Sequence, residues 1–195
     1  MKKLLATALL GAAVAATSYG QGTVSFKNYF GHPTTDPAVF FSNGTTRVTG
    51  SQYIVALMAG PSAGSLAQVA TTPFLSAAAA AGFFQAGTVA IPTVAGGGTA
   101  FIQIDVWDTT LNGTTTGATF AQAAAYSLSA GVGNEWGSSA VFSLTTGNPS
   151  GTPPTTPTFL VPGLTSFNLN TVPEPTSLAL LGLGSAGLMF FRRRK

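Results

Sequence analysis

The sequence predicts an all-β protein: a single β-sandwich or jelly-roll-like unit set between two apolar ends. Three observations carry this. Short runs with period-two alternation recur along the chain and are separated by Gly- and Pro-rich turns. No alternation of strands with long helical patterns suggests a βαβ arrangement. The chain has 24 Gly, 12 Pro and no Cys, so its strands must be held by an apolar core and not by disulfides. About 150 residues between the ends suffice to bury one such core.

In chain order, Met1-Lys2-Lys3 is a cationic start, and Leu4–Ala16 is apolar but too short to span a bilayer comfortably. Ser18 and Gly20 are small residues at the −3 and −1 positions of a cleavage before Gln21, so residues 1–20 read as a secretory signal peptide. The expected partners there are the secretion translocon and signal peptidase. Thr23–Phe30 alternates, with Val24 and Phe26 on one side and Ser25 and Lys27 on the other, until Gly31–Pro37 breaks it. Val39–Phe41 is a short apolar run closed by the turn Ser42-Asn43-Gly44. Gln52–Ala59 is nearly all apolar and is expected to be a central strand, ended by Gly60-Pro61. The alanine run within Ser76–Ala81 is too short for a helix of its own and predicts a loop or a single turn. Phe83–Val89 predicts a strand interrupted at Gly87, and Ile91–Val94 a separate edge piece, because Pro92 cannot donate to a ladder.

Thr99–Trp107 is the clearest strand. Ile102, Ile104 and Val106 form an aliphatic set that faces the core, while Phe101, Gln103, Asp105 and Trp107 point the other way. Phe120–Tyr126 predicts a short helix, and Ser139–Leu144 a further strand. Gly147–Pro157, with four prolines, predicts a loop or linker, and Leu164–Leu169 alternates again. The chain therefore divides into 1–20, a 21–170 payload and a 171–195 tail.

Charge misleads until it is divided the same way. The whole chain is +3 with a pI of about 9.5. Between Gln21 and Val172, however, only Lys27 and Arg47 stand against Asp36, Asp105, Asp108 and Glu135, which leaves −2. A payload without clustered cations excludes nucleic-acid binding. Its low charge leaves solubility to Thr, Ser, Asn and Gln, which suits a hydrated matrix.

The tail has three parts in fixed order: Val172-Pro173-Glu174-Pro175, an uncharged stretch from Thr176 to Phe191, and Arg192-Arg193-Arg194-Lys195. The prolines hold the backbone around one carboxylate extended, a shape that an enzyme groove reads easily. Sixteen uncharged residues form a hydrophobic helix of roughly 24 Å, at the short end for a bilayer core of about 30 Å. The terminal cations then stop transfer on the cytoplasmic side. This arrangement resembles the PEP-CTERM sorting signal of Gram-negative bacteria that make extracellular polysaccharide. The resemblance implies recognition in the inner membrane by an exosortase, a Cys-dependent transpeptidase-like enzyme, and removal of the tail near the motif. It further implies a membrane-anchored precursor that ends at the cell surface or in the extracellular matrix. The same tail occurs on proteins described as ice-binding, a label that does not transfer by itself. An ordinary single-span anchor is the simpler alternative. The payload is also similar, more diffusely, to secreted proteins of that group at Gly22–Phe26, Gly97–Asp108 and Pro153–Phe167, which implies no activity.

Few residues in the payload suggest chemistry. The single histidine, His32, lies in a turn-rich segment with no Cys and no Gly-x-Ser-x-Gly elbow to activate. Asp105 and Glu135 each neighbour a tryptophan, as in a glycosidase pair, although solvated or strand-end acids are the simpler account. Asp105, Asp108 and Asn112 are close enough in sequence to suggest a calcium loop, but without EF-hand spacing. Gly96-Gly97-Gly98 is not followed by Lys-Ser/Thr and reads as a hairpin connection. Trp107, Trp136, Tyr29 and Tyr53 could form a sugar-stacking platform, but aromatics of this size more often fill a core; Trp107, opposite the aliphatic face of its strand, is the best exception. The payload is thus expected to be non-catalytic and free of cofactors, with carbohydrate binding as the alternative and a hydrolase using Asp105 or Glu135 behind it.

Overall fold

A computed structural model describes residues 20–32, 36–111, 114–115, 117–130, 135–161 and 163–170. Residues 1–19, where a signal peptide is expected, Asn112, the sorting motif Val172–Pro175, the apolar stretch 176–191 and the basic end Arg192–Lys195 lie outside the described residues.

The fold is built around β6 (Thr99–Asp108). As its alternation predicts, Ile102, Ile104 and Val106 are fully buried on one face. On one side β6 runs antiparallel to β3 (Tyr53–Gly60) from Tyr53 opposite Asp108 to Gly60 opposite Phe101. Beyond β3 lies β4 (Ala67–Pro73), so β3 is central, as its apolar run predicts. No strand was expected at β4. Its pairing with β3 shifts register between Leu57 and Met58, and that irregularity breaks the period-two signal.

The other side of β6 is shared. β10 (Phe142–Thr145) pairs with its first part and β9 (Trp136–Ser138) with its second. The single strand expected over Ser139–Leu144 is therefore corrected: the pairing begins earlier, at Trp136, and is interrupted at 139–141. The interruption is a bulge around Ser139. Its N–H donates to Ile104 O at 2.9 Å, and its Oγ accepts the Ile104 N–H at 3.0 Å, so the side chain substitutes for a ladder rung.

A three-stranded sheet faces this one. β1 (Gln21–Lys27) lies between β5 (Gln85–Ala95), antiparallel, and β11 (Thr158–Phe159), parallel. The two strand pieces expected around Pro92 prove to be one. Pro92 is tolerated because Ile91 pairs with Gly22 and Ala95 with Gln21, which leaves residues 92–94 in a bulge at the sheet edge. Val24, Phe26 and Ile91 from this sheet join Val55, Leu57, Ile102, Ile104 and Val106 from the other in one apolar cluster. Both sheets remain open, and the architecture is an all-β sandwich.

The two layers are joined at a corner. β4 leads to a bridge between Phe74 and Phe84, and the intervening loop contains one 3-10 turn, Ala78–Ala80, matching the single turn expected of the alanine run. Gly82 closes this loop with φ +78°, and a Cβ there would sit 2.8 Å from Val39 O. Asn28, fully buried below the corner, donates to Pro37 O and Gly82 O and accepts the Phe84 N–H.

Two short pairings complete the sandwich. β2 (Val39–Phe40) runs parallel to β12 (Phe167–Asn168), and β7 (Thr110–Leu111) forms a small ladder with β8 (Thr114–Thr115). Helix α1 (Phe120–Ala130) runs a turn beyond the expected Phe120–Tyr126. It starts at a reciprocal cap: Gln122 N–H donates to Thr119 Oγ1, and Gln122 Oε1 accepts the Thr119 N–H. It packs on the outer face of the five-stranded sheet. Among the described residues, no helix is long and apolar enough to cross a membrane.

Candidate functional site

The residues that the sequence marks for chemistry gather at the Asp108 end of β6, but the sheet divides them between its two faces. On the outer face, Trp107 and Trp136 stand directly opposite each other across β6 and β9. Phe120 of α1 packs edge-on against both, with ring centroids 6.0 Å from Trp107 and 5.6 Å from Trp136. Trp107 is only 5% exposed, and its Nε1–H donates to Ala118 O at 2.6 Å. It does point away from the aliphatic face, as expected, but α1 covers that side. A sugar ring has no open face of Trp107 on which to stack: the exception made for Trp107 is corrected, and it joins Ala56 and Ala123 in a second, smaller core, the commoner place for such an aromatic.

Asp105 lies on the same outer face. It is buried and accepts the Ser138 hydroxyl at 2.6 Å. Burial pushes its carboxyl above the ordinary aspartate value, and the Ser138 hydrogen bond offsets this in part.

Asp108 and Glu135 lie on the opposite, core-facing side with Tyr53. Asp108 Oδ1 accepts both the backbone N–H and the hydroxyl of Thr110, and the Asp108 N–H donates to Glu135 O. Glu135 Oε1 accepts the Ser42 hydroxyl at 2.8 Å. Burial first, and then the charges of Asp108 and Glu135, hold the Tyr53 phenol protonated far above its usual range. This phenol therefore stays neutral at physiological pH. Phe41 packs edge-on against its ring.

These positions correct two pairings. Asp105 and Glu135 face opposite sides of the sheet, so they do not form a two-carboxylate pair. Asp105 and Asp108 also diverge, so they do not share a calcium loop, and Asn112 lies outside the described residues. Among the described residues, no three His, Cys, Asp or Glu side chains gather as metal ligands. His32 is exposed in a turn closed by Asp36, whose carboxylate accepts the N–H groups of Phe30 and His32. The association of Tyr53, Asp108, Glu135 and Ser42 was not expected. Its signal was the alternation of β6, which carries Asp108 to the same side as Ile104 and Val106.

The last described segment runs between two elements. Phe167–Asn168 pairs with β2, the Leu169 N–H donates to Phe40 O, and Asn170 exchanges backbone hydrogen bonds with Trp136 of β9. Leu169 is 2% exposed, its side chain in the main core. Thr171 and Val172 alone separate Asn170 from Pro173.

No curated protein and no solved structure matches the chain. Residues 171–195 match the family model of the PEP-CTERM protein-sorting motif, which implies exosortase-dependent sorting of an exported protein.

Proposed function

We propose that the chain is a non-catalytic protein of the cell surface or extracellular matrix. It is exported through the translocon, trimmed by signal peptidase and held briefly in the inner membrane of a Gram-negative cell until exosortase removes its tail. The single observation that carries this reading is the sorting motif at 171–195, behind an independently legible export signal at 1–20. A non-catalytic role is supported by the separation of Asp105 from Glu135 and by the burial that keeps the Tyr53 phenol protonated. Glu174→Gln tests the sorting directly. The variant should accumulate as a longer, membrane-held precursor, and processing at the normal rate would leave only an ordinary anchor. Turnover on polysaccharide that is lost in Glu135→Gln would restore the hydrolase reading.

Carbohydrate binding is favoured by one observation, away from the tryptophans. Phe159 is 49% exposed at the edge of the three-stranded sheet, with Phe30 edge-on to it. The Lys27 ammonium lies 4.8 Å from the Phe30 ring centroid and 5.1 Å from that of Phe159. A glycan array on the wild type and Phe159→Ala separates a binder from a structural matrix component. Signal lost in the variant supports binding, and a blank array with both proteins removes it.

A further inference from the structure

We propose that the terminal strand of the sandwich is a brake on tail removal, because the fold and the processing enzyme compete for the same backbone. The inference rests on the sorting reading above and concerns how that step is regulated.

The fold holds the chain to its last described residue. Phe167 and Asn168 pair with Val39 and Phe40, and the Leu169 N–H donates to Phe40 O at 2.8 Å. The Asn170 N–H donates to Trp136 O at 2.6 Å, and Asn170 O accepts the Trp136 N–H at 3.3 Å. A Cβ on Gly137 would lie 3.1 Å from both Asn168 O and Leu169 Cα, so the segment lies close against β9. The Leu169 side chain fills the core from the same stretch.

The tether is short. Three residue steps of at most about 3.6 Å put Pro173 within roughly 11 Å of Asn170. An enzyme that reads an extended segment by strand addition needs the segment's backbone N–H and C=O groups free on both sides of the scissile bond. On the N-terminal side of Pro173, only Thr171 and Val172 are outside the described pairing. A groove that extends further must take Asn170 from Trp136 and then Leu169 from Phe40. The sandwich must also fit between the motif and the enzyme's rim. Both effects make processing depend on local release of residues 167–170, or on cutting before the sandwich closes.

Pulse–chase of the full chain in its exporting cell, reading precursor and product masses, tests this. Six Gly/Ser residues inserted after Thr171 lengthen the tether outside the fold and leave Glu174 and the prolines intact. Tail removal should then accelerate on the order of tenfold, the factor that about 1.4 kcal/mol of local opening imposes on a rate. Leu169→Ala, which loosens the strand from the core side at unchanged tether length, should also accelerate it. Glu174→Gln, alone and with the insertion, separates the two ideas. If Glu174→Gln blocks removal but neither the insertion nor Leu169→Ala changes its rate, the brake is overturned and the sorting stands. If Glu174→Gln is processed like the wild type, the sorting reading fails and the brake falls with it.

Discussion

Asn28 shows how a single polar residue holds a corner of an apolar sandwich. It is fully buried, and its three hydrogen bonds satisfy two carbonyls and the Phe84 N–H where the chain passes from one sheet to the other. Asn28→Ala leaves those groups unpaired in the core and should cost about 2–4 kcal/mol in denaturant unfolding. Asn28→Asp should also destabilise, since a carboxylate would face the Pro37 and Gly82 carbonyls without donors. A loss below about 1 kcal/mol for both would mean that water replaces the side chain there. Asp105 is the opposite case, a buried carboxyl that the fold penalises when it ionises. Its folded pKa is raised, so the folded chain holds the proton more tightly than the unfolded chain does. Stability therefore falls as pH rises from the ordinary aspartate value through the raised one, and the deficit persists above that window. Asp105→Asn should raise the neutral-pH Tm, by about 2–4 °C per kcal/mol recovered in a chain of this size, and flatten the Tm–pH slope across mild acid. An unchanged slope would assign the pH dependence to other groups.

At the scale of elements, the outer face of the five-stranded sheet is a structural joint. Trp107, Phe120 and Trp136 fasten α1 to β6 and β9. Trp107→Ala should lose about 3–5 kcal/mol of stability. A near-normal melt with a selective loss of polysaccharide binding would return Trp107 to the surface. The sequence made β6 legible down to the side that each residue faces, because Ile102, Ile104 and Val106 alternate without interruption. It made β3, the single alanine turn and α1 legible for similar reasons of run length and composition. What it hid shares one cause: β4, the continuity of β5 and the division of β9 from β10 all involve register shifts or a bulge. A bulge adds a residue and inverts the phase of the alternation, so a period-two reading loses the strand where the fold bends. The candidate site was hidden differently. Asp105, Asp108 and Glu135 are neighbours along the sequence or across strands, but which face each occupies depends on the pairing of β6 with β9, and residue spacing alone does not contain that. The same bulges and Pro92 leave their mark at the sheet edges. Charged side chains commonly discourage edge-to-edge pairing. β4 and β5 carry none, and interruptions of the ladder take that role.

The whole molecule separates address from cargo. The cations that make the chain basic are concentrated in the two ends, and between them lies a near-neutral sandwich joined to the motif by two residues. In the membrane-anchored precursor that the sorting motif implies, a sandwich joined so closely to the motif would stay beside the membrane, and the proposed brake gives its terminal strand a part in both folding and sorting. The most direct measurement is the intact mass of the protein recovered from the outside of the producing cell. The account predicts a chain that begins near Gln21, ends near Val172–Pro175 and lacks both the apolar stretch and Arg192–Lys195. A mass equal to the full chain from Met1 to Lys195, found inside the cell, would contradict it.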